Sequence, residues 1–321
     1  MTHRLKVGNS ISRRKFLAMS GVVPAVMAAQ AVNPAALIAA EEAAPVAPAV
    51  PAAKDKYPIG LELYSVRGEL QRNLPETLRM VAQIGYPIVE FYAPYLDWKI
   101  PYAKTVRTLM DDLGLRCYST HNNIGSFTPG DSMAHAIEIN QILGSRLVVL
   151  ASAPGGTQGV EGWKKLCDQL SAAVGLFNPH GLAAGYHNHN AEWVPLDGNL
   201  RIMDLLAANT PKEFVLQLDV GTCVNAGADP VAWIKANPGR IKVIHLKDWA
   251  PGTNADEKGY RVLFGEGVSP WQEICAAAES VGGVEYYLME QEGSRYPELE
   301  TVHRCLDSWK KVRGEAKPSG G

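Results

Sequence analysis

The sequence predicts a single (β/α)8 barrel. Three observations carry this. Short apolar runs alternate with helical patterns eight times between residues 58 and 290. Glycines stand where the helices should end. The roughly 255 residues from 57 to 313 suit one large α/β domain of this kind. Alternation of strand and helix argues for parallel strands with crossover helices. The expected strands are 58–65, 87–92, 115–121, 146–151, 182–189, 213–219, 240–247 and 284–290. In the first helix, 74–84, Leu74, Leu78, Val81 and Ala82 fall on one face at helical spacing. Gly85, Gly114, Gly144, Gly181 and Gly282 each precede a strand closely and read as left-handed helix caps. An open doubly wound sheet is the competing architecture. The residues after Leu63 (YSVRGEL) contain no glycine-rich phosphate loop, which disfavours a dinucleotide fold.

Ahead of the barrel, Ser12-Arg13-Arg14-Lys15-Phe16-Leu17 places a twin arginine before an apolar, alanine-rich stretch running to about residue 31. This is the layout of a twin-arginine export signal, so residues 1–40 are assigned to a signal peptide and the protein to the periplasm. Ala29-Gln30-Ala31 is one small-x-small cleavage site. Pro24 and Pro34 break the apolar run, which disfavours stable membrane insertion after cleavage. Residues 41–56 form an Ala/Pro linker, 57–314 the barrel, and 315–321 a flexible tail.

Residues 1–40 hold five Lys/Arg and no Asp/Glu; the remainder carries 26 basic against 33 acidic residues, a net charge of −7. That balance, with no basic run, speaks against nucleic acid as a partner. The five cysteines are widely spaced and form no CxxC pair, so no disulfide scaffold or thiolate metal site is expected.

Four of the predicted strands end in metal-ligand side chains: LAAGYHNH, EFVLQLD, RIKVIH and VEYYLME. Parallel strands in a barrel bring all their C-termini to one mouth, so these residues converge there. His187, Asp219, His245 and Glu290 offer two nitrogens and up to four oxygens. Such a set suits one divalent metal, Mn²⁺ first, with Zn²⁺, Co²⁺, Fe²⁺ or Mg²⁺ as alternatives. His189 shares the face of His187, and Lys247 that of His245. An Asp at position 219 could cap a following helix, but helical sequence does not resume until about Asp229, which weighs against a simple cap. His121, at the end of strand 3, is a substrate-contact candidate, with a role supporting the metal ligands from behind as the even alternative. Glu62 is deep enough in strand 1 to be a structural carboxylate paired with an Arg or Lys. Trp98, Trp193 and Trp249 lie in loops after strands 2, 5 and 7, where rings could meet the apolar faces of a sugar.

With these segments in view, the chain resembles the sugar phosphate isomerase/epimerase family built on the xylose isomerase-like TIM barrel, over roughly residues 57–312. The segments that carry the resemblance are 60–67 (GLELYSVR), 186–193 (YHNHNAEW), 218–230 (LDVGTCVNAGADP), 238–248 (PGRIKVIHLKD), 264–268 (FGEGV) and 286–292 (YYLMEQE). The resemblance implies a divalent metal held at the ends of strands 5 to 8 by Glu, Asp, His and Glu. Asp219, His245 and Glu290 match that pattern. The strand-5 Glu is replaced by His187, and His189 or Glu192 are alternatives at that place. Glu192 otherwise resembles a contact to a substrate hydroxyl, and Lys247 a residue near substrate oxygens.

The expected activity is isomerisation or epimerisation of a sugar through an enediolate. A metal acidifies the C–H beside a carbonyl, and Glu290, with Lys247 and His189, handles the proton. Glu192, His121 and Trp249 are the expected substrate contacts. A keto-glycoside lyase or dehydratase uses the same opening step, and an inactive periplasmic sugar-binding protein is a third reading. The expected partner is a small sugar or sugar derivative, with homo-oligomerisation left open.

Overall fold

The computed structural model describes residues 56–252 and 258–314. The signal peptide assigned to 1–40, nearly all of the 41–56 linker and the 315–321 tail lie outside the described residues. Eight strands form one closed barrel: β1 (Ile59–Glu62), β2 (Ile88–Phe91), β3 (Arg116–Asn122), β4 (Leu147–Leu150), β5 (Ala183–His187), β6 (Val215–Asp219), β7 (Val243–Leu246) and β8 (Tyr286–Met289). Their order around the wall is the order of the chain, and β8 closes onto β1. Every neighbouring pair is parallel. Each predicted run holds one strand, with β3 continuing one residue past its run to Asn122. Most strands are shorter than their runs, so His189 and Lys247 stand just beyond strand ends, in loops.

The helix Leu74–Ile84 buries Leu78 and Val81, as its periodicity requires. Asn73 caps it by accepting the Glu76 N–H at 3.1 Å. Gly85, Gly114, Gly144 and Gly181 have positive φ. The fifth cap falls at Gly283 (φ +83°) rather than Gly282, because the helix before it ends in a wider π turn that adds a residue. A small antiparallel hairpin, Pro195–Asp197 with Leu200–Arg201, follows β5 and was not expected. No helix among the described residues is long and apolar enough to cross a membrane.

Strand alternation divides the apolar residues into two cores. Outward side chains such as Leu61, Val89, Leu216, Leu218, Ile244 and Met289 pack against the helices. Inward ones, Ile88, Leu147, Val149, Val215, Val243, Tyr286 and Leu288, fill the barrel floor. Gly60 makes room for this plug, since a Cβ there would meet Leu288 Cδ2 at 2.7 Å and Ile88 Cβ at 2.8 Å. Above the plug, toward the strand C-termini, the inward positions turn polar.

Candidate metal centre

The inward positions above the floor are Glu62 (β1), Glu90 (β2), Ser119 and His121 (β3), His187 (β5), Gln217 and Asp219 (β6), and His245 (β7). Lys247 and Glu290 stand directly after β7 and β8. All are buried, none more than 8% exposed. A register shift between Val89 and Glu90 pairs Glu90 with Ser119, and the Ser119 hydroxyl donates to Glu90 Oε2. Strands β5 and β6 are pinned by Asn188, whose side chain accepts the Asp219 N–H at 2.9 Å and donates to Thr222 Oγ1 at 2.8 Å.

Three of the four predicted ligands meet. His187, Asp219 and Glu290 each present a ligand atom within 4.8 Å of the others. His187 Nε2 lies 3.8 Å from Asp219 Oδ2. His245 adjoins them differently. Its Nδ1 is 2.6 Å from Glu290 Oε2 and its Nε2 is 2.9 Å from Glu90 Oε1, so it bridges two carboxylates. Its ring also stacks on His121, with centroids 5.3 Å apart. Asp219 does two things at once. Oδ1 accepts the Thr222 N–H at 2.9 Å and caps the helix Val220–Asn225, which begins at once rather than near Asp229. Oδ2 faces the mouth, 2.6 Å from Lys247 Nζ. The Lys247 ammonium also reaches Glu290 Oε1 at 3.0 Å and Glu292 Oε1 at 2.7 Å.

These residues fit a divalent ion. Glu62 Oε2, Glu90 Oε1, Asp219 Oδ2 and His245 Nε2 are buried without a well-angled hydrogen bond. The contacts of the last three with Lys247 or with each other are close in distance but poorly directed. Buried carboxylate oxygens without donors are what a cation satisfies, and His245 Nε2 joins them once the ring gives up its proton. A mixed imidazole–carboxylate set is the donor chemistry of Mn, Fe, Co or Zn.

The electrostatics divide the groups by neighbour. Burial disfavours the charged His245 ring, but Glu90 and Glu290 outweigh it and raise its pKa to about 10. Burial likewise opposes an ionised Glu90, and His121 and His245 still bring it to about 2. Glu290 sits well below the usual carboxylate range, since Lys247 and His245 overcome its burial. Lys247 is held well above its ordinary value by Asp219, Glu290 and Glu292, against burial. His187 falls well below it, through burial and the neighbouring His245 and His121, which keeps the ring neutral and able to act as a ligand. Burial lifts Asp219 despite Lys247.

Other expected residues lie elsewhere. Glu62 has no Arg or Lys partner among the described residues. Its charge contact is His121 Nδ1 at 3.9 Å, and burial beside Glu90 raises its pKa well above the carboxylate range. Glu192 is engaged at both oxygens, by the Tyr186 hydroxyl at 2.6 Å and the His189 N–H at 3.0 Å. His189 is exposed at the rim, its ring centroid 5.1 Å from that of His187. His121 enters the cluster, with Nε2 2.7 Å from Gln217 Oε1. Trp249 is half-buried at the start of the β7 loop, whereas Trp193 is buried against Trp233. From the sequence Glu90 is an inward polar group of strand 2 with no assigned role, and Gln217 was not singled out. Polar residues at the inward positions of LQLD and IVEF were the available signal.

Asp248 explains the FGEGV segment. Its Oδ2 accepts the N–H groups of Gly265 and Gly267, each at 3.0 Å, and the Trp271 indole at 2.9 Å. Gly267 lies so close that a Cβ would collide with Asp248 and Trp249. Residues 265–271 are thereby fastened to Asp248, next to Lys247.

Residues 78–311 match the family described as xylose isomerase-like TIM barrel. Inosose dehydratase of Salmonella typhimurium is 33% identical over 87 residues, covering 27% of this chain and 28% of that enzyme. The match therefore spans under a third of that relative's length. A sugar phosphate isomerase/epimerase structure from Parabacteroides distasonis superposes with a TM-score of 0.68 at 24% identity, covering 85% of this chain and 100% of that one. A zinc-bound structure of IolI protein gives a TM-score of 0.62 at 16% identity, over 79% and 97%.

Proposed function

The chain belongs to the xylose isomerase-like TIM barrel family, and on that premise we propose that it is a divalent-metal-dependent enzyme. It removes a proton beside a carbonyl of an uncharged sugar or sugar derivative, as an isomerase or epimerase. The observation that carries this reading is the convergence of His187, Asp219 and Glu290 beside the Lys247 ammonium. A divalent ion held by His187, Asp219 and Glu290, with His245 adjoining, would supply the positive charge that makes the neighbouring C–H acidic.

The chain's own groups supply the rest. Glu290, kept ionised by Lys247 and His245, is the base. Lys247 faces the oxygens on which negative charge develops. The lining favours a neutral substrate: the Lys247 ammonium already shares its charge with Asp219, Glu290 and Glu292. A phosphate group would meet carboxylates there. At the rim, Tyr64 is 38% exposed and packs edge-on against Tyr92, a surface for a sugar's apolar face.

A second reading, dehydration of a keto-polyol, draws on the identity to inosose dehydratase. It shares the proton-removal step and differs in expelling a β-hydroxyl. We also propose export, from the twin-arginine segment at Arg13-Arg14. Fractionation of cells carrying the wild type or Arg13→Lys/Arg14→Lys tests it, and a cytoplasmic wild-type protein would reject it.

Elemental analysis of untagged protein is the primary test, with Asp219→Ala and His245→Ala as controls. About one Mn, Zn, Co or Fe per chain, lost in the Asp219 variant, supports the reading. Sugars and inososes are then screened in D₂O for exchange at the carbon beside the carbonyl. Exchange with retention of mass apart from deuterium marks an isomerase or epimerase, and loss of water marks a dehydratase. No metal after reconstitution would leave a sugar-binding protein as the better reading.

A further inference from the structure

We propose that Gln217 is a positioning residue that dictates which nitrogen of His187 faces the candidate metal centre. It thereby makes His187 the strand-5 ligand. The inference rests on the metal-site reading above, but its geometry is independent of any ion.

An ionised carboxylate only accepts. Glu90 Oε2 already takes the Ser119 hydroxyl and lies 2.9 Å from Gln217 Nε2, so the amide must present its NH₂ end to Glu90. That fixes the other end. Gln217 Oε1 lies 2.7 Å from His121 Nε2 and 3.0 Å from His187 Nδ1. An amide oxygen also only accepts, so both ring nitrogens carry hydrogen. With its hydrogen on Nδ1, a neutral His187 has its lone pair on Nε2. Nε2 is the atom that faces Asp219 Oδ2. The opposite tautomer would set a ring lone pair against the amide oxygen in a fully buried site.

The alternatives on the same segment are closed off. Both oxygens of Glu192 are engaged outside the cluster, and His189 is exposed at the rim. His187 and Gln217 are direct partners in the β5–β6 register, so the contact is built into the barrel wall. One strand, β6, thus supplies a ligand at Asp219 and, two residues earlier on the same face, the group that orients the neighbouring strand's ligand.

The test reads the imidazoles directly. Long-range ¹H–¹⁵N spectra of the metal-free protein report which ring nitrogen of His187 is protonated. Zn²⁺ and Co²⁺ titrations give affinity, and circular dichroism melting confirms folding. Wild type should show His187 protonated at Nδ1. Gln217→Met has similar volume and no amide, and should lose that preference and bind either ion about 10–100-fold more weakly. Gln217→Glu, protonated on the oxygen that faces Glu90, still accepts from both rings and should restore the Nδ1-protonated form. Nε2 protonation in wild type would overturn the proposal, as would a folded Gln217→Met that keeps both the tautomer and the affinity. If Gln217→Met does not fold, the wild-type and Gln217→Glu spectra decide. A wild type that binds neither ion refutes the metal reading instead, and the ring spectra still judge Gln217.

Discussion

Replacing Lys247 by methionine keeps most of the buried stem and removes the ammonium that Asp219, Glu290 and Glu292 share at 2.6, 3.0 and 2.7 Å. The Glu292 contact adds little, because that side chain is 41% exposed. Asp219 and Glu290 are buried, and stripping a partner from a buried ion pair costs about 3–5 kcal/mol. For a domain of about 250 residues each kcal/mol moves Tm by about 2–4 °C, so the metal-free variant should melt about 6–20 °C below wild type. The loss should shrink as pH falls. Burial already raises the Asp219 pKa against the pull of Lys247. Without the lysine it rises further, and protonation at low pH removes the uncompensated charge. A divalent ion should replace the lost ammonium, restoring about 4 kcal/mol when present at about a thousand times its Kd. Scanning calorimetry in chelator and in excess Zn²⁺, at pH 5.5 and 8, measures all three effects. A variant melting within 2 °C of wild type in chelator at pH 8, on the order of 1 kcal/mol or less, would refute the argument. So would equal stabilisation of both proteins by the ion.

Metal uptake should release about one proton per ion between pH 6 and 9 and tighten about tenfold per pH unit. His245 is protonated below its pKa of about 10 and must lose that proton to become a ligand. Calorimetry in buffers of different ionisation enthalpy counts the protons, and a count of zero would remove His245 from the ligand set. Gly60→Ala should lower stability by about 1–3 kcal/mol in urea unfolding, since the new methyl overlaps Leu288 and Ile88 in the barrel floor. Asp248→Ala leaves the Gly265, Gly267 and Trp271 donors without their shared acceptor, at about 1–3 kcal/mol each if they stay buried. Limited proteolysis should then cut within residues 258–269 much faster than in wild type, and unchanged cutting would show that this segment is held by other contacts.

The amino-acid sequence by itself determined the fold class and the residues that stand at the barrel mouth. Both follow from local rules: apolar runs of strand length separated by helical repeats, and a side-chain alternation of two that sends Val215, Gln217 and Asp219 to one face. Strand ends were overrun where polar residues continued past the ladder, as at His189 and Lys247. What those residues touch was decided only by the tertiary structure. Glu90 meets Gln217 across 127 residues of chain, and Lys247 meets Glu290 across 43. Such pairings depend on where each strand falls around a closed wall and on the register shift that lifts Ser119 beside Glu90. Sequence spacing carries neither quantity. Asp219 as both helix cap and mouth carboxylate, Glu62 beside His121 with no Arg or Lys partner among the described residues, and Glu192 held by the Tyr186 hydroxyl are consequences of barrel closure, which sets angles and depths that no local pattern encodes.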